Sequence, residues 1–256
     1  MNSAELAEII KAKGNLTRLF SILKPIAREP MNPEILQELI EYFRYKDIGL
    51  SGGIAKESKP DSWYTNQYSS YQDWFTRNLT TIHENKIRQT LSATSLAIPC
   101  ECAVESIGFV SDTTSIIRLK KLPEVAVNDL YSLGVPYDYQ FINMKLLTGH
   151  YHHLRSPIAG VVKRALPVHD STPLFGRSSL NFMEISSAIG SVYLLIVGEA
   201  VVQDFNYFVK VGDTVSMFDD LGHFTWGSQT VMLFPPVFDK IKIKPRQYCF
   251  AGDEIA

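Results

Sequence analysis

Beyond about Leu96 the chain breaks into short β-prone runs divided by turn signals, and this constrains the fold more than any other feature. The runs lie in "SLAIPCECAVESIGFV", "YQFINMKLL", "GVVKRALPV", "SVYLLIVGEAVVQDF", "YFVKVGDTVSMF" and "TVMLFPP". β-Branched and aromatic residues dominate them, and Gly, Pro, Asn and Asp punctuate the joins. That spacing argues for a mostly β domain behind a helical N-terminal layer.

The first part of the chain reads differently. "AELAEIIKAKGNLTRLFSILKPIA" carries Leu6, Ile9, Ile10, Leu19, Phe20, Ile22 and Leu23 at mostly helical spacing, with a break near Gly14. In "NPEILQELIEYF", Asn32 is a good N-cap, Pro33 suits the first helical position and Glu34 suits the positive helix end. Ile35, Leu36, Leu39, Ile40 and Phe43 then form one apolar stripe. "GLSGGIAKESKPDS" is a loop by its Gly, Ser and Pro content, and "SYQDWFTRNL" starts another helix. The expected fold is α+β: a helical N-terminal region over residues 1–60, then a mostly antiparallel β domain over 61–256. Gly212-Asp213 and Gly222 punctuate that domain as hairpin turns do, and "VKVGDTV" is reminiscent of the turn in lipoyl-like β-domains.

The chain has 256 residues and a formal net charge of -2, so no basic field invites nucleic acid or an anionic membrane. No apolar run reaches the about 18 residues that a membrane-spanning helix needs. "MNSAELAEII" lacks the features of a signal peptide. The expected place is cytoplasmic, with room for peripheral membrane contact and for a homodimer. The polar faces of the first helices carry both signs of charge, which favours packing on a core over docking to a membrane. Cys100, Cys102 and Cys249 are an odd set without zinc or redox spacing and read as packing thiols.

Two stretches carry candidate chemistry. "GHYHHLRSP" gathers His150, His152 and His153. On a strand, His150 and His152 share one face. A catalytic imidazole, a polar strand end and a metal site all remain open, though no second cluster supplies further ligands. The other stretch is "FTWGSQTVMLF", where Gly227 and Ser228 interrupt strand-forming residues. A Ser hydroxyl can attack the preceding carbonyl, and Gly gives it an unobstructed approach.

Taken in order, several segments resemble the phosphatidylserine decarboxylase family of pyruvoyl-dependent enzymes. "SYQDWFTRNL" is similar to the family's N-F-x-x-F-F-x-R-x-L, "AIPCECAVESIG" to P-x-D-G-x-x-x-x-x-G, and "GHYHHLRSPIAG" to D-Y-H-R-x-H-x-P-x-x-G. "PLFGRSSL" stands where the family has L-F-x-x-N-E-R, "LIVGEAVVQDF" resembles L-V-G-A-x-x-V-G-S-I, and "DDLGHFTWGSQTVMLF" resembles G-x-F-x-x-G-S-T-V-x-x-L-F. The resemblance runs from roughly residue 70 to 236.

The resemblance implies self-cleavage between Gly227 and Ser228, with Ser228 becoming a pyruvoyl cofactor. That ketone would form a Schiff base with an amino acid or aminophospholipid and accept electrons as CO2 departs. His152 matches the first His of the family motif and is the candidate for steering protonation. Phe224 and Trp226 would wall the site against water, and His150 and His153 would line it. Departures from the pattern are specific. Glu101 stands where the family has Asp, one methylene longer. Arg155 stands where it has its second His, and an arginine stays protonated and cannot act as a base near neutral pH. Ser178-Ser179-Leu180 replace Asn-Glu-Arg, and Gln229 replaces the Thr after the cleavage Ser. Three readings follow: an active divergent decarboxylase in which one of the three histidines takes the base role with Glu101 orienting it, a conventional lipid decarboxylase with relaxed motif details, or an uncleaved binding or regulatory module.

Overall fold

The computed structural model describes residues 3–13, 15–45, 59–65, 67–92, 95–111, 133–168, 180–198, 205–225 and 228–255. Two compact units make up the chain: Met1–Thr80 with Thr148–Tyr151, and Thr81–Leu147 with His152–Ala256.

The first unit is helical: α1 (Ser3–Ala12), α2 (Leu16–Ile26), α3 (Pro33–Tyr45) and α4 (Tyr71–Phe75). Its helix starts follow from local chemistry. Asn15 Oδ1 accepts from the Arg18 N–H at 3.1 Å, and Asn32 Oδ1 accepts from the Glu34 N–H at 2.8 Å. Such caps stabilise a helix by about 1 kcal/mol each. The α3 stripe is buried, and Phe43 stacks on Phe20 at 5.6 Å and on Trp74 at 6.2 Å. "SYQDWFTRNL" makes a helix of one turn only. Arg77, 1% exposed, follows it, donating to the Trp74 carbonyl at 3.0 Å and the Gly149 carbonyl at 2.7 Å. That guanidinium ties the end of α4 to the 148–151 segment.

The second unit opens with α5 (Thr81–Thr90) and is otherwise β. Its strands are β1 (Cys102–Phe109), β2 (Gln140–Leu146), β3 (His153–Arg155), β4 (Gly160–Val168), β5 (Leu180–Ser187), β6 (Gly190–Gly198), β7 (Phe205–Tyr207), β8 (Thr214–Val215), β9 (Asp220–Phe224), β10 (Ser228–Phe234) and β11 (Tyr248–Cys249). Eight form one sheet in the order β11-β1-β2-β10-β6-β5-β4-β8, and three form a second, β3-β9-β7. The pairings are antiparallel, as the turn-divided runs imply. With its helical N-terminal unit, the protein is α+β.

Strand β10 lies inside the large sheet, and Val231, Met232, Leu233 and Phe234 are all 0% exposed. Burial on both faces explains why this run is continuously apolar rather than alternating. On one face Val231 and Leu233 join Phe141, Phe182, Leu195 and Val197 in the core. Each such side chain contributes about 1.5–3 kcal/mol by leaving water.

Two glycine readings part company. Gly212 sits in a turn at φ 96°, closed by the Asp213 N–H on the Lys210 carbonyl at 3.1 Å, but the flanking β7 and β8 belong to different sheets, so the turn is not that of a hairpin. Gly222 lies inside β9 instead. It adopts φ 143°, and a Cβ there would stand 2.1 Å from the Asn206 carbonyl oxygen, so close strand approach rather than a turn demands glycine. Gly14, Ser178, Ser179 and most of the expected loop over 49–62 lie outside the described residues.

Candidate active site

The small sheet feeds the large one at the Gly-Ser pair. Strand β9 ends at Phe224, β10 begins at Ser228, and residues 225–227 make the join. Trp226 and Gly227 lie outside the described residues. Ser228 pairs with Leu146 of β2 and with Gly198 of β6, so the strand is held on both sides from its first residue. Gln229 is 1% exposed. Its Nε2 donates to Asn143 Oδ1 at 2.7 Å and to Glu105 Oε2 at 3.3 Å, while Asn143 Nδ2 donates to the same Glu105 oxygen at 3.3 Å. Glu105 reaches this pair from an irregularity in β1, where the register shifts between Val104 and Ser106.

The histidines divide between the units. His150 belongs to the helical unit, His152 and His153 to the β-rich unit, and all three are buried. Strand β3 begins at His153, so the expected shared strand face of His150 and His152 does not form. The His152 carbonyl accepts from the Phe224 N–H at 3.0 Å. Phe224, 2% exposed, packs edge-on to Phe205 at 5.3 Å. His152 is thereby fixed to the strand that runs into the Gly-Ser join.

His153 and Arg155 meet on one carboxylate. His153 Nδ1 lies 2.7 Å from Asp220 Oδ2, and an Arg155 nitrogen lies 3.6 Å from the same oxygen. Burial pushes the Asp220 pKa up, but the His153 hydrogen bond and charge, the Arg155 charge and the Gly222 N–H outweigh it and hold it low. The His223 ring lies 5.2 Å from that of His153, and its pKa is lowered first by burial and then by the His153 charge. Arg155, 3% exposed, also lies 3.5 Å from Glu84 Oε1, with its guanidinium carbon 5.0 Å from the centre of the Phe218 ring. Glu84 in turn binds Arg88 at 2.9 Å, and Arg88 lies 3.1 Å from Asp219.

Glu101 is 0% exposed, and its Oε1 accepts from the Tyr248 hydroxyl at 2.7 Å. Around it, Cys100, Cys102 and Cys249 are free thiols, all buried. Cys102 pairs with Cys249 across β1 and β11. Burial pushes the Cys249 thiol up to about 12 and that of Cys102 well above its usual range, so both stay neutral near pH 7. Among the described residues no three His, Cys, Asp or Glu side chains are grouped to hold a metal ion. The structure thus joins His153 with Arg155, His152 with Phe224, and Glu101 with Tyr248. Sequence reasoning missed Asp220, Asn143, Glu105 and Tyr248, each of which acts across strands and carries no local motif.

A helical N-terminal unit and an antiparallel β-rich unit, with a Gly-Ser pair between its two sheets, define an α+β protein. The chain belongs to the phosphatidylserine decarboxylase family, whose model matches residues 71–256. It is 23% identical over 248 residues to a phosphatidylserine decarboxylase proenzyme of Bacillus mycoides (strain KBAB4), covering 91% of this chain and 87% of the relative. It is likewise 23% identical over 251 residues to the proenzyme of Bacillus cereus (strain B4264), covering 92% and 90%. The proenzyme of Bacillus thuringiensis subsp. konkukian (strain 97-27) is 22% identical over the same length.

Proposed function

We propose that the chain is a pyruvoyl-dependent decarboxylase, made by self-cleavage between Gly227 and Ser228, that removes CO2 from an amino acid or an aminophospholipid. The observation that carries this reading is the place of Ser228, first residue of β10 and paired with both neighbours directly after the join. A cut there would leave the new chain end inside the sheet rather than free in solvent. The Ser228 hydroxyl oxygen would add to the Gly227 carbonyl carbon. The peptide C–N bond breaks, an ester forms, and the hydroxyl proton ends on the freed Ser228 amine. Elimination then removes the Cα proton of residue 228 and expels the Gly227 carboxylate. Water completes the change, releasing ammonia.

The surroundings suit such a group. Position 228 is flanked by Leu146, 1% exposed, and by side-chain-free Gly198, with buried Phe224 before the join. Dry, apolar walls favour loss of a charged carboxylate. The pyruvoyl group supplies a ketone that captures a substrate amine and draws off electrons as CO2 leaves. His152 is the residue for moving protons, held on β9 while His153 is occupied by Asp220. The Ala97 N–H bonds the Pro157 carbonyl and the Arg155 N–H bonds the Pro99 carbonyl, aligning 97–99 antiparallel to 155–157. Glu101 follows this paired stretch by two residues.

One observation favours the second reading, an uncleaved binding or regulatory module. Arg155 occupies the assisting-histidine position and is bound between Glu84 and Asp220 over Phe218, an arrangement that holds structure and accepts no proton. Intact-mass spectrometry of the purified protein decides. Two chains split after Gly227, the smaller blocked by a pyruvoyl group, support the enzyme, and Ser228→Ala stays whole. A single chain that survives long incubation sinks it. Release of CO2 from phosphatidylserine against a panel of free amino acids then separates the substrate classes.

A further inference from the structure

The last ten residues of the fold enclose the one buried carboxylate that the cleavage reading needs. Arg246 stands at φ 67° in a turn closed by the Gln247 N–H on the Lys244 carbonyl at 3.2 Å, and this turn aims the tail back along the chain. The tail then pairs on both sides of Glu101. On one side the Val104 N–H bonds the Gln247 carbonyl at 2.9 Å and the Arg246 N–H bonds the Val104 carbonyl at 2.7 Å. On the other, Gly252 N–H bonds Ile98 at 2.9 Å, Ile98 N–H bonds Asp253 at 2.8 Å, and Ile255 N–H bonds Leu96 at 2.8 Å. Gly252 adopts φ 95° and lies so close to α5 that a Cβ there would stand 2.5 Å from Ile87 Cγ2, so the tail is wedged in place. Between these clamps the Tyr248 hydroxyl reaches Glu101 at 2.7 Å.

We propose that Tyr248 is a positioning residue for Glu101, and that the C-terminal tail therefore supplies the self-cleavage site with its oriented acid. The proposal rests on the self-cleavage reading above. Every tail residue lies beyond Ser228, so after the cut the carboxylate of the large chain stays bonded to a phenol of the small one. A phenol donating to a carboxylate oxygen fixes the rotation of that side chain, and so the direction in which the carboxylate faces.

The test is Tyr248→Phe in the full chain, which removes one oxygen and keeps the ring. Self-cleavage followed by mass spectrometry is expected to slow by roughly tenfold near neutral pH, the usual worth of a hydrogen bond to a charged group. A merely structural role would lower the urea midpoint together with the rate, whereas a positioning role slows cleavage with the midpoint unmoved. A second arm needs no cleavage: crystal structures of the Ser228→Ala chain with and without Tyr248→Phe should show the Glu101 carboxylate turned from its parent rotamer in the double variant. An unmoved carboxylate, or cleavage at the parent rate, overturns the proposal. A wild-type chain that never splits overturns the cleavage reading itself and the positioning role with it.

Discussion

Two polar clusters in the β-rich unit are built from opposite materials. Around Arg155 the cluster is ionic: Glu84, Arg88, Asp219, Asp220 and His153 form a chain of charges at the small sheet and α5. Around Gln229 it is a pair of amides with one carboxylate, spread across three strands of the large sheet. The difference teaches what each region is for. A buried charge persists where partners compensate it, and Arg155 lies between two carboxylates, so this region holds itself together by ion pairing. The amides of Gln229 and Asn143 need no charge compensation and fix a backbone position, that of the residue next to Ser228. The amide cluster thus holds the start of β10, and Arg155 braces the small sheet against α5.

The largest effect should come from the ionic side. Asp220→Ala removes the carboxylate shared by His153 and Arg155 and leaves both buried, and a loss of about 3 kcal/mol is expected in urea unfolding. The pH dependence carries a sign. The Asp220 pKa is lower folded than unfolded, so its contribution is complete above the ordinary carboxylate value of about 3.9 and is lost as pH falls through the folded value. Asp220→Asn should lack that part of the acid slope. If stability of the variant falls with acid as steeply as that of the parent, Asp220 is not the group that holds this region.

How much of this could be read beforehand depended on whether the signal was local. The caps at Asn32 and the apolar stripe of α3 are properties of adjacent residues, and both stand as read. So does the long buried run of β10. Strand β5, "LNFMEISS", and helix α5, "TIHENKIRQT", went unread: the first mixes Asn, Glu and Ser into a buried strand, and the second buries only Ile87. The Gly227-Ser228 pair and the histidines were visible as motifs. Their partners were not, because Asp220 reaches His153 across a strand pair and Tyr248 reaches Glu101 across 147 positions. Pairing of that kind is set by sheet register, which no single run of residues encodes.

On the amide side, Gln229→Leu keeps the volume but strips Asn143 of a partner, and a loss of about 1–2 kcal/mol is expected. It should leave the acid slope assigned to Asp220 where it is. A variant that moved that slope would show the two clusters to be one. Arg155→Lys should cost less, about 1 kcal/mol: the charge remains, but a point ammonium loses the flat contact with Phe218 and reaches Glu84 and Asp220 together less well. Equal losses for Lys and for Arg155→Leu would mean that geometry, not charge, is what the brace needs.

The smallest effect sharpens the ionic side further. His223 faces His153, Asp220, Asn206 and the exposed Phe208 ring, and its own backbone neighbour Phe224 presents a carbonyl to it. Its folded pKa is depressed, so the unfolded chain binds its proton first as pH falls below about 6.5. Stability should therefore decline with acid through that window and level off once the folded imidazole is also protonated. In His223→Gln the decline between pH 7 and 5 should be shallower, read as a smaller shift in urea midpoint. A His223→Gln chain with the parent's full decline would assign the slope to another group and remove His223 from the cluster.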